Sequence, residues 1–296
     1  MKNRIFPLSV LLICLIFAFG QFSLNAAPKR GTAPKAGSID KGLMFGPAKK
    51  HFVITRETPE AVYEMIPQIE NAELVIDYNG KFPPASLLQK IATLNTPVNL
   101  VLPLDYSSRH LRRLEVLRQY SVTYRVNAET LTDKVIGLAQ QMGPRVKRFE
   151  IPYTDLTPAV AKKLKRIPRI ELMVRIADGK TLCSKDIKNI KAFGNLPKEI
   201  FVPASYPAKG LKAFKSLKHT RILLEAKNGK PSIEQTKALN KLKKLEGGAW
   251  VRGLIKKEEA FSYMVIENLM VFQLEVKNWK MTPEFVKMMN SHGETF

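Results

Sequence analysis

Cysteine is nearly absent from this chain. Among 296 residues only Cys14 and Cys183 occur. Cys14 falls in an apolar leader, so no internal disulfide can staple the remainder and the fold must stand on its core. Cys183 is expected as a buried structural thiol, with a reactive thiol at a helix start as the rival. Histidine is as sparse: His51, His110, His219 and His292 lie far apart, with no pair at helical spacing. That excludes a zinc site built on clustered Cys or His ligands. There is no G-x-x-x-x-G-K phosphate loop, no G-x-S-x-G nucleophile elbow and no H-E-x-x-H pair. No metal and no cofactor is expected. Acid is short as well, with 26 Asp and Glu against 48 Lys and Arg, a net charge of +22.

What is present begins with a leader. Lys2 and Arg4 precede an apolar run from Ile5 to Leu24, closed by Ala26 and Ala27. A positive start, an apolar centre and small residues at the end make residues 1–27 a signal peptide, or an anchor if uncleaved. The expected location is extracytoplasmic: periplasmic, secreted or envelope-associated. Residues 28–50 form a Pro- and Gly-containing basic linker. A repeated βα domain is expected over 51–291, with a tail at 292–296. Loss of the leader lowers the net charge only to +20. Such a charge favours an anionic partner, such as an acidic glycan or an anionic envelope surface, beside a protein partner. Nucleic acid is not expected. Membrane contact would come only through an uncleaved N-terminal segment.

The domain repeats. Apolar anchors recur at Phe52, Leu74, Leu100, Tyr124, Phe149, Leu172, Ile200, Ile222, Val251 and Phe272, at steps of 21 to 29 residues. Each opens an alternating stretch, such as Ile170-Glu171-Leu172-Met173-Val174-Arg175, the pattern of a strand covered on one face. Helix-period stripes lie between: Leu131, Val135, Leu138 and Met142; Val160, Leu164 and Ile167; Ile187, Ile190 and Phe193; Leu239, Leu242 and Leu245. Thr58-Pro59, Thr157-Pro158 and Thr282-Pro283 pair a capping hydroxyl with a proline at a helix start. Strands separated by helices run parallel. The fold class is therefore α/β, with about ten βα units and a parallel sheet.

The other strand face is polar at both edges and mixed at its middle. Two architectures follow. An open horseshoe-like solenoid would expose that face as a concave surface. A closed (βα)8 barrel with flanking units would turn it inward. The solenoid is favoured, because units near 25 residues are short for a barrel, ten exceeds eight, and enclosed charges would need partners. Arg125 with Glu150 and Arg148 with Glu171 are the adjacent-strand candidates. Phe149-Glu150-Ile151 through Leu156, Val160 and Leu164, with Thr154 at a ladder position, resembles leucine-rich-repeat proteins that carry a helix in each unit. That resemblance implies a horseshoe with a binding role.

Two sets of candidate site residues result. On the solenoid reading the binding face is Arg125, Arg148, Glu150, Glu171, Met173, Arg175, Phe201, Arg221 and Arg252, and the protein is an exported, non-catalytic binding scaffold. On the barrel reading the acids at strand ends would ring a catalytic mouth. Asp77, Asp105, Asp178 and Glu225 are then candidates for acid–base attack on a glycan bond, with Asp155 beside them. Aspartate is also an ordinary turn residue at such positions.

Overall fold

The computed structural model describes residues 50–226, 232–242, 249–255, 269–275 and 282–291. The leader, the linker as far as residue 49 and the tail at 292–296 lie outside them. Among the described residues ten strands occur: β1 (Lys50–Ile54), β2 (Ala72–Asp77), β3 (Val98–Leu102), β4 (Tyr120–Arg125), β5 (Lys147–Pro152), β6 (Ile170–Arg175), β7 (Lys198–Pro203), β8 (Thr220–Ala226), β9 (Ala249–Ile255) and β10 (Leu269–Glu275). Helices α1 (Glu60–Glu64), α2 (Ala85–Thr93), α3 (Ser108–Leu114), α4 (Asp133–Gln141), α5 (Pro158–Leu164), α6 (Ser184–Lys191), α7 (Ile233–Asn240) and α8 (Pro283–Ser291) alternate with them, and a 3-10 helix at Gly210–Ser216 links β7 to β8.

All ten strands are parallel, and the sheet closes. His51 of β1 stands in register with Glu73 of β2 on one side and Gln273 of β10 on the other. The open solenoid is thereby overturned, and with it the leucine-rich-repeat resemblance, which rested on the period and on one strand–helix unit. Two of the three reasons for preferring the solenoid assumed an eight-stranded barrel. Barrel diameter grows roughly linearly with strand number, so ten strands make the barrel about a quarter wider than eight. Eight strands leave an interior just wide enough for side chains to fill. This wider interior takes long charged side chains, and the third objection fails because those charges find partners across the strands.

The core lies between strands and helices. The anchors Phe52, Leu74, Leu100, Tyr124, Phe149, Leu172, Ile200 and Ile222 are all at 0% exposure. Each such side chain contributes about 1.5–3 kcal/mol by leaving water. The helix stripes meet them: Leu131, Val135, Leu138, Met142, Val160, Leu164, Ile167, Ile187, Ile190 and Phe193 are buried, as are Leu239 and Leu242. Leu245 lies outside the described residues. Thr157 caps α5 by accepting the Val160 amide at 3.2 Å, and Thr282 accepts that of Phe285 at 3.3 Å. Thr58 departs from the pattern: its hydroxyl accepts the Thr55 amide at 2.9 Å, and Pro59 takes the cap position of α1. Proline ends β5 and β7 at Pro152 and Pro203, where a missing N–H stops the ladder.

Beneath the helices sits a set of buried lysines. Lys147 and Lys198, each the first residue of a strand, are 0% and 1% exposed. The Lys147 ammonium donates to the carbonyls of Gly143 at 2.5 Å and Pro168 at 2.8 Å. That of Lys198 donates to Gly194 at 2.7 Å and Leu196 at 2.6 Å. Gly143 and Gly194 follow the ends of α4 and α6 with φ of 60° and 59°, where a glycine terminates a helix without strain. A cation there meets the negative end of the helix dipole. Lys50 repeats the device by donating to Met289 of α8 at 2.5 Å. Burial holds the Lys50 and Lys147 ammonium groups below the ordinary lysine range.

Candidate functional site

The polar strand face lines the barrel. Because side chains alternate along a strand, residues sharing an inward parity stack in levels from the N-terminal to the C-terminal ends of the strands. At the lower level, His51 Nε2 lies 3.2 Å from the Glu73 carboxylate, which is buried. Arg148 donates through Nε to Glu171 at 2.9 Å and through Nη1 to Glu73 at 3.4 Å. Glu73 belongs to β2 and Arg148 to β5, three strands apart, so this contact reaches across the interior. Arg221 donates to Glu199 at 3.0 Å. Asn99 Oδ1 accepts from Ser121 at 3.2 Å and Thr123 at 3.0 Å. Burial opposes the charge on Arg148, yet Glu73, Glu171 and Glu199 outweigh it and hold the guanidinium above its ordinary range. For Arg221 burial wins over Glu199 and Glu171 and pulls it down.

An apolar waist follows. Phe201 and Leu223 are buried and pack with Met173 in a cluster separate from the main core. Above it, at the C-terminal ends of the strands, one chain of charges alternates in sign. Asp77 is ion-paired with Arg125, its Oδ2 2.7 Å from Nη1. Glu150 accepts Arg125 Nε at 3.3 Å and Arg175 Nε at 2.7 Å. Glu225 accepts Arg175 Nη1 at 3.0 Å. The Arg175 guanidinium also lies over the Phe201 ring, 4.9 Å from its centroid, a cation–π contact that fixes its plane. Burial would push the Glu150 carboxyl up, but Arg175 and Arg125 outweigh it and hold it below its ordinary range. Both guanidinia stay open to solvent, with Arg125 at 54% and Arg175 at 42% exposure. Each leaves Nη2 without a protein partner among the described residues.

The two sequence-derived sets meet in part, in the upper arc. Arg125, Glu150 and Arg175 join Asp77 and Glu225 in the upper arc. Arg148, Glu171 and Arg221 form the lower level, and Met173 and Phe201 form the waist. Arg252 stands in register with Glu225; its side chain lies outside the described residues. Asp105 and Asp178 do not join: both are exposed on the loops after β3 and β6, where Asp178 accepts the Ser205 hydroxyl. Asp155 accepts the Ala128 amide at 3.0 Å, an ordinary loop role. Cys183, expected in the core, is exposed at the N-cap of α6. Glu73 and Glu199 were missed as site residues. Their signal was a shared parity: Glu73, Glu171 and Glu199 each sit immediately before an apolar anchor. Among the described residues no group of three or more His, Cys, Asp and Glu could hold a metal ion. No described helix is long and apolar enough to cross a membrane.

These features define a ten-stranded parallel βα barrel with an ion-paired interior and a charged C-terminal mouth. No family model and no curated protein matches the chain. Among solved structures, a chain of the tryptophan synthase a2b2 complex from the hyperthermophile Pyrococcus furiosus is similar at a TM-score of 0.34 and 12% identity, over 85% of this chain and 98% of that one. A likeness that low bears on neither fold nor activity; the barrel stands on its strand pairing.

Proposed function

We propose that the protein is an exported, non-catalytic binding protein that holds a polyhydroxylated ligand, a glycan or glycan fragment, at the C-terminal mouth of its barrel. The observation that carries this reading is the arc Asp77–Arg125–Glu150–Arg175–Glu225. Its donors and acceptors alternate and hold one another in place, so little side-chain entropy remains to be lost on binding. Each sugar hydroxyl both donates and accepts, and an alternating arc of guanidinium and carboxylate meets both needs. Two open guanidinia supply the contact points, and Phe201 lies beneath one of them.

Hydrolysis is the weaker reading. Cleaving a glycosidic bond takes one carboxyl that carries a proton near neutrality. Glu150 is held in the opposite direction, while Asp77 and Glu225 are ion-paired with guanidinium groups. The test is a panel of soluble oligosaccharides titrated calorimetrically against the native chain and Arg125→Gln/Arg175→Gln. Binding that the double variant loses while its melting transition remains supports the proposal. Wild-type binding that survives both substitutions would refute it, as would release of reducing ends that Glu225→Gln abolishes.

A further inference from the structure

Three consecutive outer segments, α5, α6 and the 3-10 helix at Gly210–Ser216, carry lysine on their solvent faces. Lys162, Lys185, Lys188, Lys191, Lys212 and Lys215 are all exposed, and none has an ion-pair partner among the described residues. Their spacing makes them ridges. Lys185, Lys188 and Lys191 recur at three-residue steps on α6, and Lys212 and Lys215 eclipse on the 3-10 helix. The one acid in these segments is Asp186, and its carboxylate is spent on the Cys183 amide at 2.8 Å. Next to β1 and β2 the outer ring mixes its signs, since Lys90 of α2 pairs with Glu60 and Glu64 of α1 at 2.5 and 3.1 Å. Helix α3 also carries basic residues and no acid, but it stands as a single segment, with Asp133 at the start of the next helix.

Solubility does not account for a one-sign surface. Solvated helix faces intersperse both charges, and like charges three residues apart weaken a helix. Lys162, Lys188, Lys191 and Lys215 lie in the last turns of their segments, where a cation meets the negative helix end; Lys185 and Lys212 have no such return. We propose that this face binds a linear polyanionic glycan, one carrying a carboxylate or sulfate on each repeat, along the outside of the barrel. Three features select that partner. The charge is complementary. Lysine ammonium groups suit diffuse attraction to a hydrated chain more than bidentate recognition of one group. The three segments curve around about three tenths of a closed barrel, a convex surface that a flexible chain can follow and a flat bilayer meets only along a tangent. No apolar anchor for a bilayer accompanies them, because the large hydrophobics exposed among the described residues are Val116 and Ile233, both elsewhere. This surface is separate from the mouth and does not depend on the ligand proposed there.

The experiment titrates the full chain with fluorescent polygalacturonate at low salt. Lys185→Glu/Lys188→Glu/Lys212→Glu/Lys215→Glu is expected to weaken binding at least about tenfold. A control of equal net charge, Arg56→Glu/Lys81→Glu/Arg109→Glu/Arg113→Glu, should change it less than about twofold. Wild-type affinity should fall steeply between about 50 and about 500 mM salt. The proposal is overturned if the two variants weaken binding equally, since net charge alone would then explain it. It is also overturned if polygalacturonate does not bind, or if vesicles of mixed phosphatidylcholine and phosphatidylglycerol are bound more tightly than the glycan.

Discussion

Arg148→Met tests the claim that the barrel interior is held by matched charges. Methionine keeps much of the arginine's length and all of its apolar stem, so the change isolates the guanidinium. Its loss removes the hydrogen-bonded cation of Glu171, 24% exposed, leaving that carboxylate the weaker attraction of Arg221, and takes from the nearly inaccessible Glu73 a cation at 3.4 Å. Removing one member of a buried pair costs about 3–5 kcal/mol. The partial exposure of Arg148 and Glu171 places the expected cost at the lower end, about 3 kcal/mol. For a domain of this size that corresponds to a fall in Tm of roughly 6–12 °C. Urea unfolding followed by far-UV circular dichroism near neutral pH measures it, with thermal melts as the second readout. Protonation relieves the uncompensated negative charge, so the deficit should narrow as the pH falls. Arg148→Met/Glu171→Gln should recover part of it, because neighbours in one network couple. A deficit under about 1 kcal/mol near neutrality, or one that widens on acidification, would refute the network's role.

Two further outcomes follow. Glu150 is held below its ordinary value of 4.5 in the fold, because Arg175 and Arg125 outweigh the effect of burial. A carboxylate of that kind contributes stability that is complete above the unfolded value and is lost as pH falls through the folded one. Glu150→Gln should therefore be less stable than the native chain near neutral pH and match it in strong acid; a pH-independent gap in urea midpoints would contradict the pairing. Gly210→Ala is expected to cost about 1–3 kcal/mol, because a Cβ there would stand 2.8 Å from the Tyr206 ring and 3.2 Å from the Thr181 methyl. Tyr206 is buried and its hydroxyl accepts the Leu182 amide at 3.2 Å, so it has little room to yield; an unchanged Tm would show that it can.

Much of this arrangement was legible in the residues. The period-two alternation marked which side chains face the helices, and the eight anchors with described side chains are fully buried. Alternation also put Arg125 beside Glu150 and Arg148 beside Glu171, and both adjacent-strand pairs occur, at 3.3 and 2.9 Å. Contacts that skip strands were not legible: Asp77 with Arg125 over β3, Arg175 with Glu225 over β7, and Arg148 with Glu73. They depend on the stagger between neighbouring strands, which alternation within one strand does not encode. The buried lysines were hidden for a related reason. Their targets are carbonyls at helix ends, and a lysine opening a strand looks the same whether its ammonium meets water or a helix terminus.

The chain's own pattern determines ten βα units, a parallel sheet, and the division of each strand into an apolar face and a charged one, because those properties follow from local periodicity. Closure was decided only by tertiary structure. It joins β1 to β10 across more than two hundred residues, and it depends on the accumulated twist and stagger of every strand between them. That one non-local pairing turns a surface that could have faced a large partner into a lumen, and gathers at its mouth acids and arginines that stand far apart in the sequence.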